Sequence, residues 1–182
     1  MKKERIAVYI DGGNTYKRLK ETNLFTGNKR FDYTSIVKYL VGDRELVSKR
    51  YYVGIVRNIN KTFKEDKMVK SQQRFLGALS EEGFEIKKGK IMYDAGKIRE
   101  KGVDVKMSLD LAVGASDDLY DTAIVMSSDT DIIPAIKYVV NGKHKKVEYV
   151  GFGINPSLGM INESTISRVF SSIDLAQFLK EK

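Results

Sequence analysis

The sequence predicts a single α/β domain, a three-layer sandwich with a mostly parallel central sheet and helices on both faces. Three observations predict it. Short apolar runs alternate with longer stretches of helical periodicity, the order that builds parallel sheets. Two of those runs, 5–10 and 122–126, are almost unbroken in apolar residues, as strands covered on both sides are. The 182 residues, 42% of them hydrophobic, suffice for one ordinary core, and no Gly-, Ser- or Pro-rich stretch marks a linker.

The first run, 5–10, stops at the turn Asp11-Gly12-Gly13-Asn14, and a helix can start from Asn14 and continue to 21. Ile36, Val37 and Leu40 give 31–40 helical spacing. Residues 49–56, rich in aromatic and β-branched side chains, predict a second strand. A long helix is expected over 61–82, with Met68, Val69, Gln72, Leu76 and Leu79 on one face and Gly83 as its stop. A strand or hairpin around Lys88-Gly89-Lys90 should follow over 84–93. Val103, Met107, Leu111 and Ala115 recur every four residues and predict a helix over 103–115. The run 122–126 ends in Ser127-Ser128-Asp129-Thr130-Asp131, with a helix over 132–140 and a strand over 146–152. Residues 157–164 are ambiguous, 169–173 suit a short strand and 175–179 a closing helix. Residues 1–182 form one domain on this reading, with the more weakly patterned 153–182 as its C-terminal extension.

Composition narrows the function. Without cysteine there is no disulfide, thiolate zinc site or cysteine nucleophile. No apolar run approaches the roughly 18 residues of a membrane span, and the basic start lacks the apolar core of a signal peptide. A cytoplasmic protein away from membranes is the expectation. The net charge is +8, and between Arg44 and Lys106 there are 16 Lys/Arg against 9 Asp/Glu. An excess of +7 in that middle third would attract a polyanion such as RNA, although solvated helix faces account for it as well.

Acids collect at strand ends. Asp11 closes the first run, Asp129 and Asp131 follow the run 122–126, and in a parallel sheet both ends lie on the edge where ligands bind. Asp104, at a helix start, and Asp110, six positions on, offer a third source. The two point in different directions on a helix, and the helix start borders the sheet edge more naturally. Gathered carboxylates repel one another and recruit a cation. Mg²⁺ or Mn²⁺ suits an all-oxygen site, whereas His144 is the chain's lone histidine and sits in a basic turn. Each acid also has a plain structural role, because Asp, Asn and Ser cap helices and turns.

At these residues the chain resembles the NYN domain family, a branch of the PIN-like nucleases, and especially its bacterial LabA-like subgroup. The matching pieces are Val8-Tyr9-Ile10-Asp11-Gly12-Gly13-Asn14, Lys101-Gly102-Val103-Asp104-Val105 with Asp110, and the stretch from Asp121 to Pro134 containing Ser127-Ser128-Asp129-Thr130-Asp131. The resemblance implies a PIN-like fold and a metal-dependent ribonuclease whose acidic site, catalytic and metal-holding, is Asp11, Asp104, Asp129 and Asp131. It implies that Asn14 orients a ligand or phosphate near Asp11, with Lys101 and Ser128 as further substrate-binding candidates. Asp110 matches a recurrent acid whose place, on the metal or behind it, stays open. Two departures stand out: Ser128 replaces the family's usual glycine, and Ile132 stands where an aromatic often follows the last acid.

The leading expectation is therefore a Mg²⁺- or Mn²⁺-dependent endoribonuclease that grips RNA with its basic segment. Phe75 and Tyr93 are available for stacking, although their places in apolar stripes suit core packing equally. The alternative is a binding module without turnover that holds RNA or a protein partner. A phosphatase is disfavoured because no second acid stands two positions after Asp11, and no phosphate-binding Gly-Lys-Ser/Thr loop is present. Oligomeric state, including a homodimer, stays open.

Overall fold

The structure, a computed structural model, describes residues 2–24, 29–56, 58, 61–94, 97–153 and 155–181, and for 90–94 and 97–101 the backbone alone. The elements run β1 (Arg5–Asp11), α1 (Gly12–Glu21), β2 (Lys29–Phe31), α2 (Tyr33–Val41), β3 (Glu45–Gly54), α3 (Phe63–Glu81), β4 (Glu85–Asp94) and β5 (Lys97–Lys101). Then come α4 (Val103–Ser116), β6 (Thr122–Met126), α5 (Ile133–Lys137), β7 (Lys146–Phe152), α6 (Leu158–Glu163), β8 (Ile166–Phe170), α7 (Ser172–Ala176) and β9 (Leu179–Glu181). Seven strands form one sheet in the order β5-β4-β3-β1-β6-β7-β8, and every neighbouring pair is parallel except β4 with β5.

Side chains alternate across a strand, so each central strand feeds two cores. Ile6, Val8 and Ile10 of β1 point with Ile124 and Met126 of β6 into a cluster covered by α1, α2, α3 and α7. Ala7, Tyr9, Ala123 and Val125 point the other way, against Val103, Met107 and Leu111 of α4, Ile136 of α5 and Met160 of α6. This is the expected three-layer sandwich. Fully burying one such aliphatic side chain contributes about 1.5–3 kcal/mol, so both layers hold the sheet firmly. No helix among the described residues is long and apolar enough to cross a membrane.

Several local expectations shift. Of the two alternatives for 84–93 the strand holds, since β4 runs unbroken through Lys88-Gly89-Lys90 and pairs antiparallel with β5. The helix expected over 132–140 divides into a 3₁₀ turn, Thr130–Ile132, the short α5 and a π turn, Tyr138–Gly142. β8 starts earlier than expected, at Ile166, and the closing helix is α7, ending at Ala176. Met68 of the predicted apolar face of α3 is 45% exposed, whereas Leu76 and Leu79 are buried. Gly77 lies inside α3, where glycine costs roughly 0.5–1 kcal/mol relative to alanine. A Cβ there would meet nothing within 4 Å.

Candidate functional site

β1 and β6 run side by side with Ile10 opposite Met126, so Asp11 and Ser127 emerge together at the C-terminal edge of the sheet. Asp11 ends β1 and caps α1: its Oδ1 accepts from the Asn14 N–H at 3.0 Å. Gly12 is required here for close approach, since a Cβ would lie 2.4 Å from the Tyr51 ring.

Ser127 is 2% exposed and links the two strand ends. Its hydroxyl donates to Asp11 Oδ2 at 3.1 Å and accepts from the Asp129 N–H at 3.1 Å. Asn14 makes a second bridge, its Oδ1 accepting from the Ser128 N–H at 2.9 Å. Thr15 Oγ1 donates to the Met126 carbonyl at 3.1 Å and makes a third. Ser128 lies outside the left-handed region, so the serine that replaces the family's glycine is unstrained. Its hydroxyl sits 3.0 Å from the Tyr149 hydroxyl. Asp129 caps the 3₁₀ turn, with Oδ1 accepting from the Asp131 N–H at 3.0 Å, and the Asp131 side chain is exposed.

Asp11 is 7% exposed. Burial pushes its carboxyl above the usual range, the bonds from Asn14 and Ser127 oppose that rise, and the Asp129 charge adds to it. Among the described residues no cation pairs with Asp11, Asp104, Asp129 or Asp131. Asp104 sits half-buried in the first turn of α4 and does not cap it, since Gly102 occupies the N-cap position with φ of 78°. Asp110 faces another environment: the Tyr52 hydroxyl donates to its Oδ2 at 2.8 Å, and Lys87 Nζ lies 4.0 Å away. Phe75 belongs to the core, its ring 5.7 Å from that of Tyr51. Lys101 ends β5 opposite Lys90, and its side chain, like that of Tyr93, lies outside the described residues.

The structure therefore joins Asp11, Asn14, Ser127, Ser128 and Asp129 through hydrogen bonds, attaches Asp131 to Asp129 through its backbone N–H alone, and leaves Asp104 and Asp110 outside that network. Among the described residues no three acids or histidines converge closely enough to share an ion. The donor chemistry fits a hydrated Mg²⁺ or Mn²⁺, which is commonly held by one or two carboxylates with substrate phosphate and water completing the shell. A buried carboxylate beside a second one, with no cation partner, is the electrostatic deficit such an ion fills.

Sequence reasoning missed Ser127 as the linking residue and Tyr52 as the partner of Asp110. The signal for Ser127 was its position directly after a buried strand, but its partner depends on the β1–β6 register. Tyr52 gave no signal beyond strand propensity.

The sequence profile of the NYN domain matches residues 5–174. No curated protein matches the chain. A solved structure of a protein of unknown function from Vibrio parahaemolyticus is similar at a TM-score of 0.69 and 24% identity, covering 92% of this chain and 93% of that one. That likeness shows a shared fold.

Proposed function

Because the chain belongs to the NYN domain family, we propose that it is a metal-dependent ribonuclease that hydrolyses phosphodiester bonds within cytoplasmic RNA. The observation that carries this reading is the buried Asp11, tied through Ser127 to Asp129 and unmatched by any cation among the described residues. Residues 153–182 act in the same unit, since β8 pairs with β7 and β9 with β2.

Asp11 and Asp129 would hold Mg²⁺ or Mn²⁺, with Asp131 at the rim. When bound, such an ion lowers the pKa of water and offsets the charge developing on a leaving oxygen. Asn14 uses its Oδ1 on Ser128, which leaves its Nδ2 to donate to a substrate phosphate. Asp104, without a hydrogen-bonded partner among the described residues, would act as the base toward the attacking water. Asp110, held by Tyr52 and Lys87, sets the position of α4 behind Asp104. Lys101 and Ser128 remain on the substrate side.

The test is cleavage of end-labelled single-stranded and structured RNA with Mn²⁺, Mg²⁺ or EDTA, beside an Asp129→Asn control. Metal-dependent internal cuts that vanish in the control support the reading. RNA binding without cuts in any condition would replace it with a binding module.

A further inference from the structure

α4 is apolar on both sides. Val103, Met107 and Leu111 pack against the sheet, whereas Val105, Leu109 and Val113 are 67%, 60% and 44% exposed. Those three recur every four residues and so form one stripe along the outside of the helix. A helix that is hydrophobic all round is one that is covered all round. The stripe lengthens at its C-terminal end, where the Ser116 hydroxyl lies 3.0 Å from that of the exposed Tyr138. Its neighbouring positions on the same face, Gly102, Ala112 and Ser116, carry no charge, which leaves a polyanion nothing to bind there.

Spacing and charge identify the occupant. Val105 and Val113 stand four positions on either side of Leu109. Turned end over end about a two-fold axis at Leu109, the stripe meets itself: Leu109 against Leu109, Val105 against Val113. Ser116, with Tyr138, then comes level with Gly102 of the second copy, which has no side chain to obstruct the ring. Lys106 and Asp117 are eleven positions apart, about three helical turns, and therefore share one rim of the stripe. In an antiparallel pair each Lys106 approaches the Asp117 of the other copy; in a parallel pair like charges would meet. Asp117 is exposed and makes no ion pair among the described residues. Lys106 is exposed as well and gives one donor to the Lys88 carbonyl at 2.9 Å. Antiparallel helices also set their dipoles in opposition, which is the favourable sense.

We infer that the outer face of α4 is a self-association surface, on which a second copy of this chain packs its own α4 antiparallel about a two-fold axis at Leu109. The 14 residues of α4 make a helix about 21 Å long. One such helix pair covers less than the roughly 800 Å² per partner of a standard interface, so the dimer is weak and forms as concentration rises. The contact braces, in both copies, the helix whose first turn carries Asp104, and it sets the two acidic edges at opposite ends of the pair. Self-association of this kind is independent of whether the protein cuts RNA.

The experiment combines sedimentation equilibrium of the full chain, over a series reaching the hundred-micromolar range, with cysteine cross-linking. The chain has no cysteine, so each introduced thiol reports only its own position. Facing residues of two helices whose axes lie about 8–10 Å apart come within disulfide reach. Leu109→Cys should form a disulfide-linked dimer under mild oxidation. Val105→Cys alone and Val113→Cys alone should stay unlinked, and a mixture of the two should cross-link. Leu109→Glu, at an exposed position, should keep the Tm of the dilute protein and weaken the dimer about tenfold or more, because like charges meet on the axis. Lys106→Glu or Asp117→Lys should each weaken association, and the two changes together should restore it. Val105→Cys linking to itself would show a parallel pair and overturn the assignment. Unchanged dimerisation of Leu109→Glu would place the contact elsewhere and overturn it too. A wild type that stays monomeric at every concentration would also overturn it and leave the stripe to a different protein.

Discussion

Replacing Asp11 with Asn should leave the metal-free protein as stable as wild type or more so, while removing its response to divalent metal. The substitution keeps the shape, and the amide Oδ1 can still accept from Asn14 N–H. The amide Nδ2 would then donate to Ser127 Oγ, which can turn its own proton elsewhere, so both present bonds of Asp11 have replacements. What disappears is a buried charge beside Asp129. A carboxyl raised above its ordinary pKa of 3.8 binds its proton more tightly folded than unfolded. Its ionisation therefore opposes folding near neutrality, and that opposition vanishes as pH falls through the folded pKa. With metal at a hundredfold over its Kd, wild type should gain about 2.7 kcal/mol, or roughly 5–11 °C in Tm for a chain of this size. Asp11→Asn should gain almost none. The assay is thermal unfolding followed by circular dichroism, in EDTA and across a Mg²⁺ or Mn²⁺ titration. Suppose instead that the carboxylate's hydrogen bonds are what hold the strand end. At about 1.5–3 kcal/mol for each charged bond, the metal-free variant would then unfold several degrees lower. That result, or equal stabilisation of both proteins by metal, would refute the reasoning.

Further expectations concern the surrounding network. Ser127→Ala removes the link between Asp11 and Asp129 and leaves the Asp129 N–H without its acceptor. It should cost on the order of 2 kcal/mol by urea unfolding and lower RNA cleavage by at least tenfold; unchanged stability and cleavage would show the link to be incidental. Tyr52→Phe deprives Asp110 of its buried donor. Because Asp110 reaches solvent, the loss should stay near the low end for a charged bond, about 1.5 kcal/mol, and a shift in urea midpoint reads it. At acid pH, the Arg5 guanidinium bonded to Asp121 holds that carboxyl at about 2, below its usual 3.8. The stability it contributes is present above pH 3.8 and is lost as pH falls toward 2. Asp121→Asn should make unfolding less dependent on pH within that window and, as the pair is partly exposed, only modestly change stability at pH 7.

The parts of the fold that could be read from the sequence are those where one rule dominates. β6 and β7 fall where expected because a strand buried on both faces ends where its apolar run ends. β2 and β9 escaped notice because Lys29-Arg30-Phe31 and Leu179-Lys180-Glu181 are short, charged and paired only with each other. No local pattern encodes a partner so far along the chain. Pro134 at the start of α5, together with the Asp129 cap, explains why the predicted helix begins with a separate 3₁₀ turn. The same distinction applies at the candidate site. Asp11 and Asp129 were visible as acids closing buried strands. The bridging hydroxyl of Ser127 and the Tyr52–Asp110 bond depend on register and on the third strand, which spacing alone does not supply.

The central strand has neighbours from opposite ends of the chain's early and late parts: β3 on one side and β6 on the other. Ser127 and Asp11, which touch, are separated by 116 positions. During synthesis the first half of the acidic edge therefore leaves the ribosome long before its counterpart, with β1 open along one flank and Asp11 still hydrated. Contacts of such long range close late and slowly. The proposed metal site between Asp11 and Asp129 would therefore be completed only after synthesis has passed residue 129.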